Sequence, residues 1–375
     1  MIITRHFPPA VSGGARRPYG LFLALTALGH SVNVVAPELP DGVPGLSIFH
    51  ANSSPDFDEA PARTTPIRDF AREALLLPDP DIRWARRVAK AVKISGLARP
   101  DWIITTSPPE SIHVAGEILK THYGCQWLAD FRDFWLKNPL RKDRLKTVRR
   151  LRETAIANRL MKSVNAVAAT DEHIAAEIAS YTADNMPFAV IPNFAIPLTL
   201  MPEGDAALLP HDKNNIVYTG SFSLSDPGRK FEEALEQYCA LAKDNDRLHI
   251  AGRLTSQELD TLSKFQTTSD IEYHGVLSLP DALAMQAQAD ILMLFTSEGA
   301  MSPSGKFYEY CALDKPILLV CPRDWHAVID EMENPPHIIK DTTVIRPVRN
   351  EAAHSQSDQL FYAYQFLELM ALSTR

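Results

Sequence analysis

Short apolar runs alternate with helically spaced stretches along the chain, and this alternation restricts the fold more than any other feature. Residues 2–4, 32–36, 102–106, 126–130 and 166–170 are apolar and of strand length. Helical spacing fills residues 17–28, closed by Gly29-His30, and residues 110–123. Strands without polar alternation suit a sheet buried on both faces, so strands interleaved with helices imply a parallel sheet covered on both sides. Ligands of such sheets bind at the carboxyl ends of the strands.

The pattern restarts in the second half. Residues 192–215 are rich in Pro, Asp and Asn and read as a linker. Strands follow at 216–219, 248–251, 271–274, 291–295 and 317–320, with helices at 230–242 and 279–289. At about 100–200 residues per domain, 375 residues suit two domains. The fold class expected is α/β, with two Rossmann-like doubly wound parallel-sheet domains facing across a cleft, a common place for a ligand. The boundaries expected are 1–195, 196–355 and a terminal helical segment, 356–375, that packs back across the domain boundary. Charge divides along the same line: residues 1–195 sum to +4 and residues 196–375 to −12, which suggests units with different partners.

Composition excludes several classes. Apolar content of 45% with 22% charged residues is that of a soluble enzyme, and no apolar run approaches the roughly 18 residues a bilayer span needs. The chain enters its first strand directly, without a secretory leader, and that strand is read as clipped. Four cysteines without CxxC spacing read as reduced thiols of a cytoplasmic protein. The twelve histidines show no metal-ligand spacing and there is no Asp-x-Asp motif. No metal and no cofactor are expected.

Five segments carry candidate chemistry. Ser302 to Tyr310 joins a small-residue turn, Ser304-Gly305, to Lys306 and Glu309. The turn frees N–H groups at a helix start, where the dipole favours an anion, and the two charged residues share one helical face. A cation and a carboxylate so placed could hold a nucleotide's phosphate and ribose, although Lys-x-x-Glu is also a common surface ion pair. Gly13 and Gly14 precede a helix opening at Arg16 or Arg17 and would let backbone approach a ligand closely; they are not the G-x-G-x-x-G fingerprint. Asp130, Arg132 and Asp133 cluster at a strand's carboxyl end, where Arg132 could bridge the carboxylates or hold a ligand. Gly220 and Ser221, then Arg229 and Lys230, form a strand-to-helix loop whose N–H groups and charge suit a diphosphate. Basic residues at that helix start are unfavourable for the macrodipole without an anion nearby. Residues 137–162 carry ten basic and two acidic residues, which reads equally as a solvated helix face and as attachment to an anionic membrane surface. Nucleic acid is not expected, because interleaved aromatics are missing and the chain is acidic. His113 reads as a satisfied core group, while His6 and His274 lie near possible ligand positions.

Taken in order, the FPP…GG…R start, L..LGH.V.V, the TSPP turn, W.ADFRD.W, VIPN, YTGS and GKFYEY…KPILLV resemble the family-four-like retaining glycosyltransferases of the GT-B fold. The resemblance runs from Phe7 to Val320. It implies an acceptor site on the N-terminal domain and a nucleotide-sugar donor site on the C-terminal one. Glu309 would bind the donor ribose, Lys306 and Ser304-Gly305 would lie beside the donor, and Arg229 or Lys230 would neutralise the diphosphate. Gly13 and Gly14 would close over it. Asp130 to Asp133 would occupy the loop that supplies a catalytic or acceptor-contacting histidine in relatives. Many relatives carry a second glutamate eight positions before the first, where Met301 stands here. The expected activity is sugar transfer to a saccharide or lipid-linked acceptor, at the inner face of a membrane. The alternatives are a nucleotide-sugar 2-epimerase and a non-catalytic nucleotide-sugar-binding protein on the same architecture.

Overall fold

A computed structural model describes residues 1–10, 12–49, 76–137, 146–194, 196, 209–222, 230–295, 305–313, 315–320, 337–338, 344–346 and 360–373. The chain divides into two compact units. The first comprises residues 1–10, 14–193 and 359–375, and the second residues 11–13 and 194–358.

The first unit is a seven-stranded parallel sheet of order β3-β2-β1-β4-β5-β6-β7. Its strands are β1 (Ile2–Thr4), β2 (Val34–Ala36), β3 (Gly45–Ser47), β4 (Trp102–Ser107), β5 (Gln126–Phe131), β6 (Ala166–Ala169) and β7 (Phe188–Val190). Its helices are α1 (Gly13–Ala27), α2 (Ile82–Ile94), α3 (Ile112–Tyr123), α4 (Lys146–Ser163) and α5 (Glu172–Ala179). The central strands β1, β2 and β6 are buried at every position, as strands covered on both faces must be. The core is large and aromatic, with Trp84, Trp127 and Trp135 all at 1% exposure or less. Local signals set the helix ends. Gly124 takes the left-handed conformation that closes α3 (φ 61°). The Asp171 carboxylate accepts from the N–H groups of His173 and Ile174 at the start of α5.

The second unit repeats the pattern. Its sheet has the order β10-β9-β8-β11-β12-β14-β13. The parallel part comprises β8 (Asn214–Thr219), β9 (Asp246–Ala251), β10 (Ile271–Tyr273), β11 (Ile291–Phe295) and β12 (Ile317–Val320). Helices α6 (Phe231–Leu241), α7 (Ser256–Phe265), α8 (Leu279–Gln288) and α9 (Gly305–Ala312) cover it. The expected parallel sheet is extended at one edge: β14 (Val344–Arg346) runs antiparallel to β12, and β13 (His337–Ile338) antiparallel to β14. In both sheets the strand order reverses direction beside the first strand, between β1 and β4 and between β8 and β11. Those are the points where ligands of doubly wound sheets bind.

The last helix, α10 (Phe361–Leu372), packs against β6 and β7 of the first unit. The Arg17 guanidinium lies 5.3 Å over the Phe366 ring of this helix. Among the described residues, no helix is long and apolar enough to cross a membrane.

Candidate functional site

In the second unit Gly220 and Lys306 meet at the carboxyl end of β8. Gly220 follows the strand with φ +125°, a conformation open to glycine and strained for other residues. Its missing side chain matters as well, because a Cβ there would collide with the Lys306 ammonium. Lys306 is the second residue of α9, and its Nζ lies 4.7 Å from the centre of the Tyr218 ring. The Tyr218 hydroxyl donates to the Ser221 carbonyl at 2.8 Å. Loop, ring and ammonium therefore form one packed group. Gly252 (φ +150°) backs it, since a Cβ there would run into the Gly220 backbone. Glu309 lies one turn beyond Lys306 and is 3% exposed.

Two expectations change at this loop. The Gly220 N–H donates to the Ala251 carbonyl at 2.6 Å, so it is not presented to a phosphate. Lys230 stands at the start of α6, exposed, and pairs with Glu233 at 2.9 Å. Glu232 and Glu233 in the first turn supply the negative charge that helix start needs. The inference that a basic helix start there demands a bound anion therefore fails. Arg229 and Ser304 lie outside the described residues.

In the first unit, the charged residues after β5 are used to tie loops together. Asp130 is 1% exposed and held by Arg17, which is 3% exposed. Arg17 Nη2 donates to Oδ1 at 2.7 Å and Nε to Oδ2 at 3.0 Å, while Nη1 donates to the Pro192 carbonyl at 2.7 Å. This bidentate pair corrects the expectation that Arg132 bridges Asp130 and Asp133. Arg132 instead donates to the carbonyls of Ser107 (2.7 Å), Gly14 (2.5 Å) and Pro108 (3.2 Å). It gathers the ends of β4 and β5 and the start of α1. Asp133 is exposed. Gly13 and Gly14 do not precede a helix; they form its first turn. A Cβ on Gly14 would lie 3.0 Å from Arg132 and 3.3 Å from His6, so the close backbone approach expected there is made to protein. His6 is held neutral, its pKa pushed down to about 3 by burial, then by Arg132 and Arg5.

Glu177 was invisible in the sequence. Its carboxylate accepts from the backbone N–H groups of Trp135, Leu136 and Lys137 at 2.7–3.1 Å, and from the Tyr181 hydroxyl. It fixes the chain beyond Asp133 without lying near it in sequence. The basic segment also divides. Residues 138–145 lie outside the described part. Arg149 turns inward to Glu153 at 2.8 Å and to the Pro78 carbonyl, whereas Arg150, Arg152, Arg159 and Lys162 are exposed beside an exposed Leu151.

Three-dimensional comparison places this arrangement in a class. Sucrose-phosphate synthase from Thermosynechococcus elongatus superposes with a TM-score of 0.57 at 14% identity, over 100% of this chain and 96% of that one. Anabaena HepE, solved with UDP and glucose, superposes with a TM-score of 0.55 at 12% identity, over 99% and 98%. S. aureus MnaA, solved with UDP, gives a TM-score of 0.50 at 12% identity, over 100% and 89%. At these identities the likeness is one of fold: two Rossmann-like domains of the GT-B type. Residues 12–193 match the family model of the glycosyl transferase 4-like domain. Residues 12–193 are thus similar to that family's domain, and the fold along the chain is of the GT-B type. The sequence matches no curated protein.

Proposed function

We propose that this chain is a glycosyltransferase that moves a sugar, with retention, from a nucleoside-diphosphate sugar to a saccharide or lipid-linked acceptor in the synthesis of cell-surface or exported polysaccharide. The observation that carries the reading is the Lys306 ammonium, packed over Gly220 and Tyr218 at the end of β8. It sits at the N-terminus of α9, where the helix dipole already presents positive charge. Two positive elements converge at the position where a doubly wound sheet receives its ligand. That arrangement suits an anion, and HepE, of the same fold, was solved with UDP and glucose.

In this reading Lys306 and the start of α9 stabilise the charge that grows on the departing diphosphate, the main electrostatic task in such a transfer. Glu309, one turn further on, accepts from the ribose hydroxyls. The loops gathered by Arg17 and Arg132 give the acceptor side a rigid wall. The exposed basic face of α4, with Leu151 beside it, would hold the protein to an anionic membrane where a lipid-linked acceptor resides.

The test is a panel of radiolabelled UDP-, GDP-, ADP- and dTDP-sugars incubated with the full chain, with thermal shift read in parallel. Transfer to an acceptor, or slow donor hydrolysis, supports the reading, whereas epimerised donor or binding without turnover replaces it. Lys306→Met should remove the donor-induced thermal shift and lower turnover by 10²-fold or more, roughly the loss seen when one donor to a developing oxyanion is deleted. Unchanged turnover would show that the diphosphate is held elsewhere.

A further inference from the structure

Linear spacing gives the histidines no metal-site pattern, but strand register does. In the parallel pair β9–β10, His249 is the register partner of Glu272, so their side chains leave the same face of the sheet. His274 follows Glu272 by two residues and leaves that face too. His249 Nδ1 lies 3.0 Å from His274 Nε2 and 3.6 Å from Glu272 Oε2. One ligand atom from each of the three residues falls within 4.8 Å of the others. A tetrahedral ion with bonds of about 2.0–2.2 Å needs ligand atoms roughly 3.3 Å apart. Two of the three separations bracket that value already, and the Glu272 side chain is 48% exposed and can turn to close the third.

The second observation is the support behind His249, which is fully buried. Its Nε2 lies 3.0 Å from Asn215 Oδ1. The orientation of that amide is fixed because Asn215 Nδ2 donates to the carbonyls of Pro210 (2.9 Å) and Lys213 (3.2 Å). Asn215 N–H in turn donates to Asp290 Oδ2 at 2.8 Å. Nε2–H of His249 is therefore the donor, and the Nδ1 lone pair points into the cluster. A ring whose far nitrogen is hydrogen-bonded so that the near one is a fixed ligand is the outer-shell arrangement of metal-binding histidines. Arg247 approaches Glu272 only at 3.7 Å and is engaged by Asp270 at 2.7 Å.

We propose that His249, Glu272 and His274 form a site for one divalent transition-metal ion of borderline softness, Zn²⁺ or Co²⁺, on the edge of the second sheet. Two imidazoles and one carboxylate disfavour the hard ions Mg²⁺ and Ca²⁺, which take oxygen ligands. A fourth position faces outward for water. The ion would cross-link β10, an edge strand of three residues, to β9. Beyond His274 the carbonyl of Gly275 accepts from Gly252 N–H at 2.7 Å, and Gly252 abuts Gly220. The site thus braces, from outside, the loop stack that carries Lys306. The ion has no part in sugar transfer.

The experiment uses the untagged full chain, stripped with chelator and titrated with Co²⁺. Expected is one equivalent bound, with visible ligand-field bands of tetrahedral type, displaced by Zn²⁺, and a melting temperature raised by either ion. Glu272→Gln and His274→Gln, both at the sheet edge, should retain wild-type circular dichroism. Each should weaken Co²⁺ binding by at least the roughly 10–100-fold that outer-shell changes cost. A wild-type chain that takes up no stoichiometric Co²⁺ overturns the site and leaves the trio as a His–His hydrogen bond beside a carboxylate. Bands that persist unchanged in His274→Gln overturn it equally, because the ion would then lie elsewhere. Neither outcome depends on donor binding, so the site and the transferase reading fail separately.

Discussion

His113 makes the stability of the first unit depend on acid in a way that can be worked out from its neighbours. The ring is fully buried. The Trp127 indole N–H donates to Thr105 Oγ1 at 2.7 Å, so the Thr105 hydroxyl proton turns to His113 Nδ1 at 2.8 Å. Nδ1 is therefore an acceptor, and Nε2 carries the proton. Nε2 has no hydrogen-bond partner among the described residues, and Phe131 packs 4.4 Å from the ring. A second proton, on Nδ1, would set two donors face to face in an apolar pocket. Burial accordingly pushes the His113 pKa from 6.5 down to about 3. A base whose pKa is depressed by folding contributes stability that is complete above its unfolded value. That stability is lost as pH falls from 6.5 towards 3. At pH 5 the loss is 1.5 pKa units at about 1.36 kcal/mol each, or about 2 kcal/mol. His113→Asn keeps an acceptor for the Thr105 hydroxyl and removes the titration. It should be the less stable protein at pH 7.5, and the gap to wild type should shrink by about 2 kcal/mol at pH 5. Tryptophan fluorescence in a urea titration reads this, because Trp84, Trp102, Trp127 and Trp135 all lie in the first unit. Comparing two proteins at each pH cancels His6, which is depressed in the same direction, and Asp79, whose pKa is raised to about 6 and acts in the opposite sense. A gap that stays constant between the two pH values would refute the assignment.

Arg17→Met should leave the Asp130 carboxylate buried and unpaired, at a cost of about 3–5 kcal/mol. Arg17→Met with Asp130→Leu should recover most of that. Chemical denaturation of the two variants checks it, and equal losses in both would show that the pair itself is a net stabiliser. Changing Arg150, Arg152, Arg159 and Lys162 together to Gln should release the protein from phosphatidylserine vesicles in a sedimentation assay without lowering its melting temperature. Arg149 must be spared, because its loss would strip the buried Glu153 of its partner. Vesicle binding that persists in the quadruple variant, or is absent in wild type, would remove the proposal of membrane attachment.

The sequence showed those elements whose burial is continuous. Residues 291–295 are apolar throughout and 102–106 are apolar or β-branched, and β4 and β11 lie there to within a residue. Elements whose existence depends on a neighbour were missed. β3 is three residues long at a sheet edge, half in water, and its residues carry no strand pattern. The antiparallel β13 and β14 follow no alternation that a reader of parallel strands would seek. The site divided in the same way. Gly220 and Lys306 were each visible, since glycine and lysine at strand and helix ends are local signals. Their contact depends on how α9 packs against the end of β8, which no spacing records. The trio His249, Glu272 and His274 appears only once two strands are aligned, because 23 residues separate the first two. The arginine roles were misassigned for a related reason. A guanidinium next to a carboxylate in sequence suggests a pair, yet Asp130 is served by Arg17, 113 residues away along the chain.

The cationic side chains of this protein do different physical work. Arg17 and Arg132 each direct several N–H groups at carbonyls or a buried carboxylate, which a planar fork does well. Arg149 donates to the Pro78 carbonyl beside its ion pair with Glu153. Removing any of them leaves internal acceptors unsatisfied, so a loss of activity in such variants would say little about chemistry. Lys306 differs. An ammonium in the first turn of a helix opposes the dipole by about 0.3–1 kcal/mol. Its position over Tyr218 returns a similar amount, about 0.5–1 kcal/mol for an exposed cation–π contact. Those two contributions are of opposite sign and comparable size, so they largely cancel. Lys306→Met keeps the stem packed against Gly220 and deletes the charge alone. A fall in donor binding or turnover in that variant, at unchanged melting temperature, would therefore report on the ligand.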